Sequence, residues 1–253
     1  MELKKLIDLA RHYQNELPPS QGNPMPEGLE IAGWIDHTLL KPNATEIQLK
    51  QLCEEAMQHH FATVCINPIF IPRATEFLSG SSIPVCTVIG FPLGATSTAV
   101  KVEEAKWSLD AGAKELDMVI PVGLMNSGSY QAVFDDILAV TDTVHNGNGL
   151  VKVILEMCFL NEFEKILACL LCVHAGADFV KTSTGFGPSG ATISDVSLMR
   201  AVVGSPEKMG VKAAGGIRSY ADAKAMIQAG ATRIGASAGV QILEEAGAKK
   251  INE

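Results

Sequence analysis

Asp178-Phe179-Val180-Lys181-Thr182-Ser183-Thr184-Gly185 is an apolar run that ends on a lysine. It reads as a short buried strand, and a buried strand that ends in an ammonium group calls for a reason. Met209-Gly210-Val211-Lys212-Ala213-Ala214-Gly215-Gly216 repeats the pattern, with its lysine 31 residues further on. That separation is about the length of one strand–helix unit in a (β/α)₈ barrel. Two lysines at the mouths of neighbouring parallel strands point to amine chemistry on a carbonyl. Desolvation and a neighbouring cation both favour a neutral, nucleophilic amine.

Working outward from these runs, eight short strands are expected near 35–40, 62–67, 84–90, 115–121, 150–156, 178–183, 210–214 and 232–236. Helical patterns fill most gaps, most clearly at 46–59, 98–111, 130–144, 161–175 and 219–229. The strands are apolar throughout, as in Val85-Cys86-Thr87-Val88-Ile89, which suits parallel strands covered on both faces. Ala-Gly-Ala recurs at 111–113, 175–177 and 229–231, each time where a helical pattern ends and a strand begins. The glycine is a natural helix cap. Six residues from each first alanine stand Asp117, Lys181 and Gly235, expected near the rim where barrels build active sites. The expected architecture is therefore α/β, a (β/α)₈ TIM barrel. A doubly wound open sheet is the alternative, but Ile35-Asp36-His37-Thr38-Leu39-Leu40 stands where such folds carry a glycine-rich turn.

At 253 residues the chain suits one barrel without insertions. One domain is expected over 1–253, with 1–28 forming an extra N-terminal helix (3–14) and a connector, Leu17-Pro18-Pro19-Ser20-Gln21-Gly22-Asn23-Pro24-Met25-Pro26, too proline-rich to continue a helix. The net charge of −8 argues against nucleic acid and anionic membranes as partners. No apolar stretch reaches spanning length, and the N-terminus lacks the centre and cleavage site of a signal peptide, so a cytoplasmic location is expected. The six cysteines are expected to be reduced core residues, with Cys65 at a strand end the one to watch for reactivity.

Lys181 is the candidate Schiff-base nucleophile and Lys212 the adjacent cation that stays protonated. Asp117, in Glu115-Leu116-Asp117-Met118-Val119-Ile120-Pro121, is an acid in an apolar strand that beside two lysines can stay ionised and move protons. Gly215-Gly216-Ile217-Arg218 after strand seven and Gly235-Ala236-Ser237 at the end of strand eight match the two loops that hold phosphate in many barrels. Thr182, Ser183, Thr184 and Gly185 add hydroxyls and a flexible turn to the strand-six rim. Lys152 and Glu156 are buried charges on strand five, read as an internal pair or as support behind the site, with no direct role. The histidines show no metal-ligand spacing, and no metal or cofactor is expected. Trp34 and Trp107 are read as packing residues.

Ile35-Asp36-His37-Thr38-Leu39-Leu40-Lys41-Pro42, Val88-Ile89-Gly90-Phe91-Pro92-Leu93-Gly94, Glu115-Leu116-Asp117-Met118-Val119, Phe179-Val180-Lys181-Thr182-Ser183-Thr184-Gly185 and Val211-Lys212-Ala213-Ala214-Gly215-Gly216-Ile217-Arg218 together resemble the deoxyribose-phosphate aldolase family, from about Ile35 to about Leu243. The resemblance implies a (β/α)₈ lyase that reversibly cleaves 2-deoxy-D-ribose 5-phosphate to acetaldehyde and D-glyceraldehyde 3-phosphate, in deoxyribonucleoside catabolism. It implies that Lys181 forms the Schiff base, that Lys212 favours the neutral amine and that Asp117 takes part in proton transfer. It implies that Gly215, Gly216 and Ser237 hold the phosphate, that Asp36 lines the pocket, and that the chain forms a homodimer or homotetramer.

The chain departs from the family pattern in three places. Met157 stands where relatives usually carry threonine, Ala236 stands where many carry threonine, and the chain ends Ile251-Asn252-Glu253 without the terminal tyrosine of some members. Two other readings stay open at this point: another Schiff-base barrel, transaldolase-like or acting on ketose bisphosphates, and a non-catalytic barrel that binds a sugar phosphate. The trio Asp117, Lys181 and Lys212 argues against the last.

Overall fold

The computed structural model describes residues 2–20, 22–26 and 28–250. Met1, Gln21 and Glu27 of the expected N-terminal segment, and the chain end Ile251-Asn252-Glu253, lie outside the described residues. The chain runs α1 (Leu3–Asn15), a 3-10 segment (Gly28–Trp34), β1 (Ile35–Leu39), α2 (Glu46–His59), β2 (Thr63–Ile66), α3 (Ile71–Phe77), β3 (Val85–Ile89), α4 (Thr98–Asp110) and β4 (Glu115–Val119). It continues through α5 (Val122–Asn126), α6 (Tyr130–Asn146), β5 (Leu150–Ile154), α7 (Glu162–Ala175), β6 (Phe179–Lys181), α8 (Ile193–Val203), β7 (Gly210–Ala214), α9 (Tyr220–Gln228), β8 (Arg233–Ala236) and α10 (Gly239–Lys250). All strands pair in parallel and in chain order, and β8 returns to β1 through Ile35↔Ile234, Asp36↔Gly235 and His37↔Ala236. The expected (β/α)₈ barrel and its extra N-terminal helix are what the structure contains. Among the described residues no helix is long and apolar enough to cross a membrane.

Local chemistry accounts for the element boundaries. Thr45, Asn161 and Ser219 cap α2, α7 and α9, each closing a capping box with the residue three positions on. All three Ala-Gly-Ala glycines have positive φ, although only Gly176 is itself the helix cap; at α4 and α9 the cap is the preceding alanine. Apart from β7, which spans the expected 210–214, the strands are shorter than expected. β6 is three residues long because the Thr182 hydroxyl takes over the backbone partners: it accepts from the Ala214 N–H and donates to the Ala214 carbonyl, each at 3.0 Å. β5 stops at Ile154, and Glu156 adopts a left-handed conformation (φ 52°) that turns the chain out of the sheet.

The strands alternate between two interiors. Leu116, Met118, Val151, Val153, Val180, Val211, Ala213 and Ile234 face the helices and form the main apolar core with them. α1 packs on α7 through this core, with Leu6 and Ala10 buried. The connector follows the same side of the molecule, where Asn23 donates from its side chain to the Ala231 carbonyl and from its backbone to Ile227. Trp34 is half-buried against the core, but Trp107 is 49% exposed and does not pack as expected. Its position on α4 faces solvent, and the small buried residues Ala105 and Ser108 take the inner face.

The barrel lumen holds a different set. Barrel interiors are usually filled by branched aliphatic side chains. Here every strand contributes an ionisable one: Asp36, Cys65, Cys86, Glu115 with Asp117, Lys152, Lys181, Lys212 and Arg233, nearly all buried. Leu40 and Val88, with Phe91 against them, join Cys65 and Cys86 in a small separate apolar cluster.

Candidate active site

The carboxyl ends of the strands surround a cavity of about 370 Å³. Lys181 and Lys212 reach it from β6 and β7; Gly185, Gly215, Gly216 and Ser237 line it from the following loops, with Arg218 and Lys41 at its rim. The structure therefore brings six of the nine site residues expected from sequence to one cavity. Asp117 lies directly beneath, fully buried, with its Oδ2 accepting from Lys181 Nζ and from Lys212 Nζ, both at 2.7 Å.

Two expected cavity residues do not reach it. The Asp36 carboxylate is fully buried below Lys212, 2.5 Å from its Nζ, and points to the closed end of the barrel, where Arg233 Nη1 donates to Oδ1 at 2.6 Å. Asp36 supports the floor rather than lining the pocket. Thr182 is also fully buried and its hydroxyl is committed to Ala214, so the cavity wall on β6 is built by Thr184 and Gly185 instead. The Lys152–Glu156 pair is not formed either. Glu156 accepts from the backbone N–H of Thr184 at 3.2 Å, and also from the Thr184 hydroxyl, which anchors the start of the β6 loop. Lys152 turns inward to Glu115 (2.7 Å) and Asp117 Oδ1 (2.8 Å), with Asp36 Oδ2 at 3.6 Å.

Lys152 takes the supporting place behind the site that is the alternative to a pair with Glu156, whereas sequence reasoning missed Arg233 and Glu115 as members of the site's foundation. The signal was parity. Glu115 and Asp117 are two apart and share a face, Lys152 is the registered partner of Asp117 on β5, and Arg233 precedes Gly235 by two.

The lumen holds four cations (Lys152, Lys181, Lys212, Arg233) and three carboxylates (Asp36, Glu115, Asp117) joined in one set of ion pairs. Burial by itself would raise the Asp117 pKa, but Lys152, Lys181 and Lys212 outweigh it and hold the carboxyl well below its ordinary range. Asp36 behaves likewise: burial is overcome by Lys212, Lys152 and Arg233. Burial would also lower the pKa of Lys212, yet Asp117 and Asp36 push it upward. Lys152 is raised against its own burial by Asp117, Cys86, Asp36 and Glu115.

With all seven groups ionised the lumen would carry one net positive charge in a low-dielectric interior. Lys152 touches three carboxylates, and Lys212 and Arg233 touch two each. Lys181 touches only Asp117, and it opens on the cavity. It is the lumen cation with the fewest carboxylate partners.

Cys65, the cysteine flagged for reactivity, is buried beside this set and pairs in register with Cys86. A hydrogen bond from Cys86 is the main influence lowering its pKa, with Lys212 adding to it against burial. Five cysteines are buried and Cys158 is half-buried.

Part of the cavity lining is backbone. Gly215 and Gly216 follow β7 with φ of 90° and 83°, a conformation that side-chain-bearing residues rarely adopt. The β6 loop closes on this turn: Ala191 N–H donates to Gly215 O at 3.0 Å, and a Cβ on Gly190 would lie 2.1 Å from that same oxygen. Ser237 lines the same cavity just before α10. Positive backbone ends, one hydroxyl and the Arg218 guanidinium give a pocket end suited to a dianion. Amine and candidate anion site thus line one cavity.

Comparisons with known proteins give the chain's family and fold. A family model described as DeoC/LacD family aldolase matches residues 31–245. The chain is 58% identical over 218 residues to the deoxyribose-phosphate aldolase of Caldanaerobacter subterraneus subsp. tengcongensis, covering 86% of this chain and 94% of that one. It is 55% identical over 222 residues to the deoxyribose-phosphate aldolase of Carboxydothermus hydrogenoformans, covering 87% and 96%. Among solved structures, one from Coccidioides immitis superposes with a TM-score of 0.90 at 43% identity, covering 97% and 98% of the two chains. The tetrameric deoxyribose phosphate aldolase of Aeropyrum pernix superposes with a TM-score of 0.80 at 32% identity, covering 96% and 97%.

Proposed function

The chain belongs to the DeoC/LacD family of aldolases, and from that premise we propose that Lys181 is the amine through which it works. Its reaction is the reversible cleavage of 2-deoxy-D-ribose 5-phosphate to acetaldehyde and D-glyceraldehyde 3-phosphate, which makes it a lyase. The observation that carries the role of Lys181 is its position: one carboxylate partner beneath, cavity above, in a lumen with one cation in excess.

Neutral Lys181 attacks C1 of the open-chain sugar and forms a carbinolamine. Lys212, held protonated on the adjoining wall, donates to the departing hydroxyl, and water leaves with formation of the iminium. The C3 hydroxyl then loses its proton and the C2–C3 bond breaks. Its electron pair flows into the iminium to give an enamine on Lys181 and free D-glyceraldehyde 3-phosphate. Protonation of the enamine carbon and hydrolysis release acetaldehyde and regenerate the amine. Asp117 has both oxygens bonded to lysines and does not line the cavity, so it acts through them. It fixes both ammonium positions and serves as the anion against which protons are exchanged. The iminium is the electron sink, a part that a metal ion plays in other aldolases.

Gly215, Gly216, Arg218 and Ser237 receive the phosphate, which sets the distance from C1 to the amine. Ser237→Asp should raise KM for deoxyribose 5-phosphate by about tenfold or more through like-charge repulsion, with little effect on unphosphorylated deoxyribose. Steady-state kinetics on both sugars checks this; an equal loss on the two would remove Ser237 from the phosphate site. A single catalytic domain over residues 1–253, a cytoplasmic location and a homodimeric or homotetrameric assembly belong to the same proposal. The tetramer of the Aeropyrum pernix relative supports the last of these.

The test of the nucleophile is borohydride reduction in the presence of acetaldehyde, followed by peptide mass mapping. The expected product is a single N-ethyl group on Lys181. Folded protein that carries no adduct, or carries it on Lys212, overturns the assignment.

A further inference from the structure

We propose that Glu115 and Arg233, at the closed end of the barrel, are a positioning pair that sets the pH at which Lys181 becomes free to attack, by fixing the number of charges sealed beneath it. The inference rests on Lys181 being the nucleophile.

Neither residue reaches the cavity. Arg233 Nη1 lies 2.6 Å from Asp36 Oδ1 and 3.1 Å from Glu115 Oε2, at side-chain exposures of only 15% and 11% for Arg233 and Glu115. The Phe179 ring packs against the guanidinium at 5.4 Å, and Gly210 has no side chain because Phe179 fills that space. The pair is therefore the last charged layer before the barrel's amino-terminal mouth. It connects to the amine by two routes, Arg233–Asp36–Lys212–Asp117–Lys181 and Glu115–Lys152–Asp117–Lys181.

The groups that face Lys181 come from every strand. Asp36 rises from β1, the thiols Cys65 and Cys86 from β2 and β3, Glu115 and Asp117 from β4 and Lys152 from β5. Lys212 and Arg233 complete the ring from β7 and β8, and Lys41 and Arg218 stand at the rim. Within this set the buried carboxylates and cations decide the balance, since the lumen screens poorly. Four cations face three carboxylates, and loss of one proton from Lys181 brings the count level. Removing Arg233 levels the count with Lys181 still protonated. Removing the charge of Glu115 widens the excess.

The two substitutions therefore act in opposite directions. Arg233→Met should move the acid limb of kcat/KM to higher pH by about one unit, and Glu115→Gln should move it to lower pH by about as much. The double variant restores an excess of one cation and should return the limb close to the wild-type position. Arg233→Lys keeps the charge and should leave the limb in place. A pair that merely plugs the barrel would lower stability or kcat in both single variants, and the defects would accumulate in the double variant.

The experiment measures the pH dependence of cleavage and of borohydride trapping with acetaldehyde in the full-length wild type and the four variants, with thermal melts alongside. Trapping with acetaldehyde excludes titration of the substrate phosphate. Opposite displacements, cancelling in the double variant, support the proposal. Limbs that do not move, or that move the same way, overturn it. Should Arg233→Met fail to fold, Glu115→Gln decides alone, because Arg233 keeps Asp36 and Lys152 keeps Asp117. Absence of a Lys181 adduct in the wild type would instead sink the reading of the nucleophile itself.

Discussion

Lys181→Ala should lower kcat by at least four orders of magnitude, about 5.4 kcal/mol or more in the barrier, without unfolding the protein. The reaction has no route around the amine. The C2–C3 bond breaks only when its electron pair has an iminium to enter, and neither of the other lumen lysines is equally free: Lys212 is tied to Asp36 and Asp117, and Lys152 is sealed among three carboxylates. Stability should change by less than about 1 kcal/mol. Asp117 keeps Lys152 and Lys212 as partners, and removal of Lys181 leaves three buried cations with three carboxylates. Circular dichroism, a thermal melt and turnover on deoxyribose 5-phosphate check both halves. Substantial residual turnover from a folded variant would sink the assignment.

Lys212→Leu should cost a factor of about 10²–10⁴ in kcat/KM near neutral pH. Its acid limb should also move to higher pH by about one unit or more. The sign follows from the charge count. Without Lys212 the lumen has no cation in excess, so the proton on Lys181 is retained to higher pH and the neutral amine forms later. The loss of kcat has a separate origin, because the variant also lacks the ammonium that assists departure of water. The fold should survive: Asp36 keeps Arg233 and Lys152, and Asp117 keeps Lys152 and Lys181. A full pH–rate profile separates the two effects. Normal activity with an unmoved profile would take Lys212 out of the mechanism.

The barrel was legible because its signals are local and repeated. An apolar run, a Gly-bearing helix end and another apolar run recur along the chain, and each reports a unit that folds by its own short-range rules. The lysine pair was legible for the opposite reason: an ammonium at the end of an apolar strand is out of place, and function is the commonest cause. The misses have particular explanations. Asp36 was carried to the pocket by resemblance, but its height in the barrel depends on the stagger between β1 and β8, which no single strand records. Thr182 looks like a rim hydroxyl until the Ala214 backbone is seen to take it. Lys152 and Glu156 share strand parity, yet the left-handed turn at Glu156 breaks the strand between them. Arg233 and Glu115 lie 118 residues apart, and only closure of the barrel makes them neighbours.

The lumen's charges are also sorted along the chain. Asp36, Glu115 and Asp117 come from β1 and β4, whereas Lys152, Lys181, Lys212 and Arg233 come from β5 to β8. Divided between α6 and β5, the barrel separates into an acidic half and a basic half. Two acidic halves, or two basic halves, could close on each other only by burying like charges without partners, at a cost of several kcal/mol. One half of each kind regenerates every ion pair. Each half is thereby specified for its complement and against its own copy. If two chains exchange halves during assembly, the combination that closes is amino half with carboxyl half, a swapped barrel with its lumen complete.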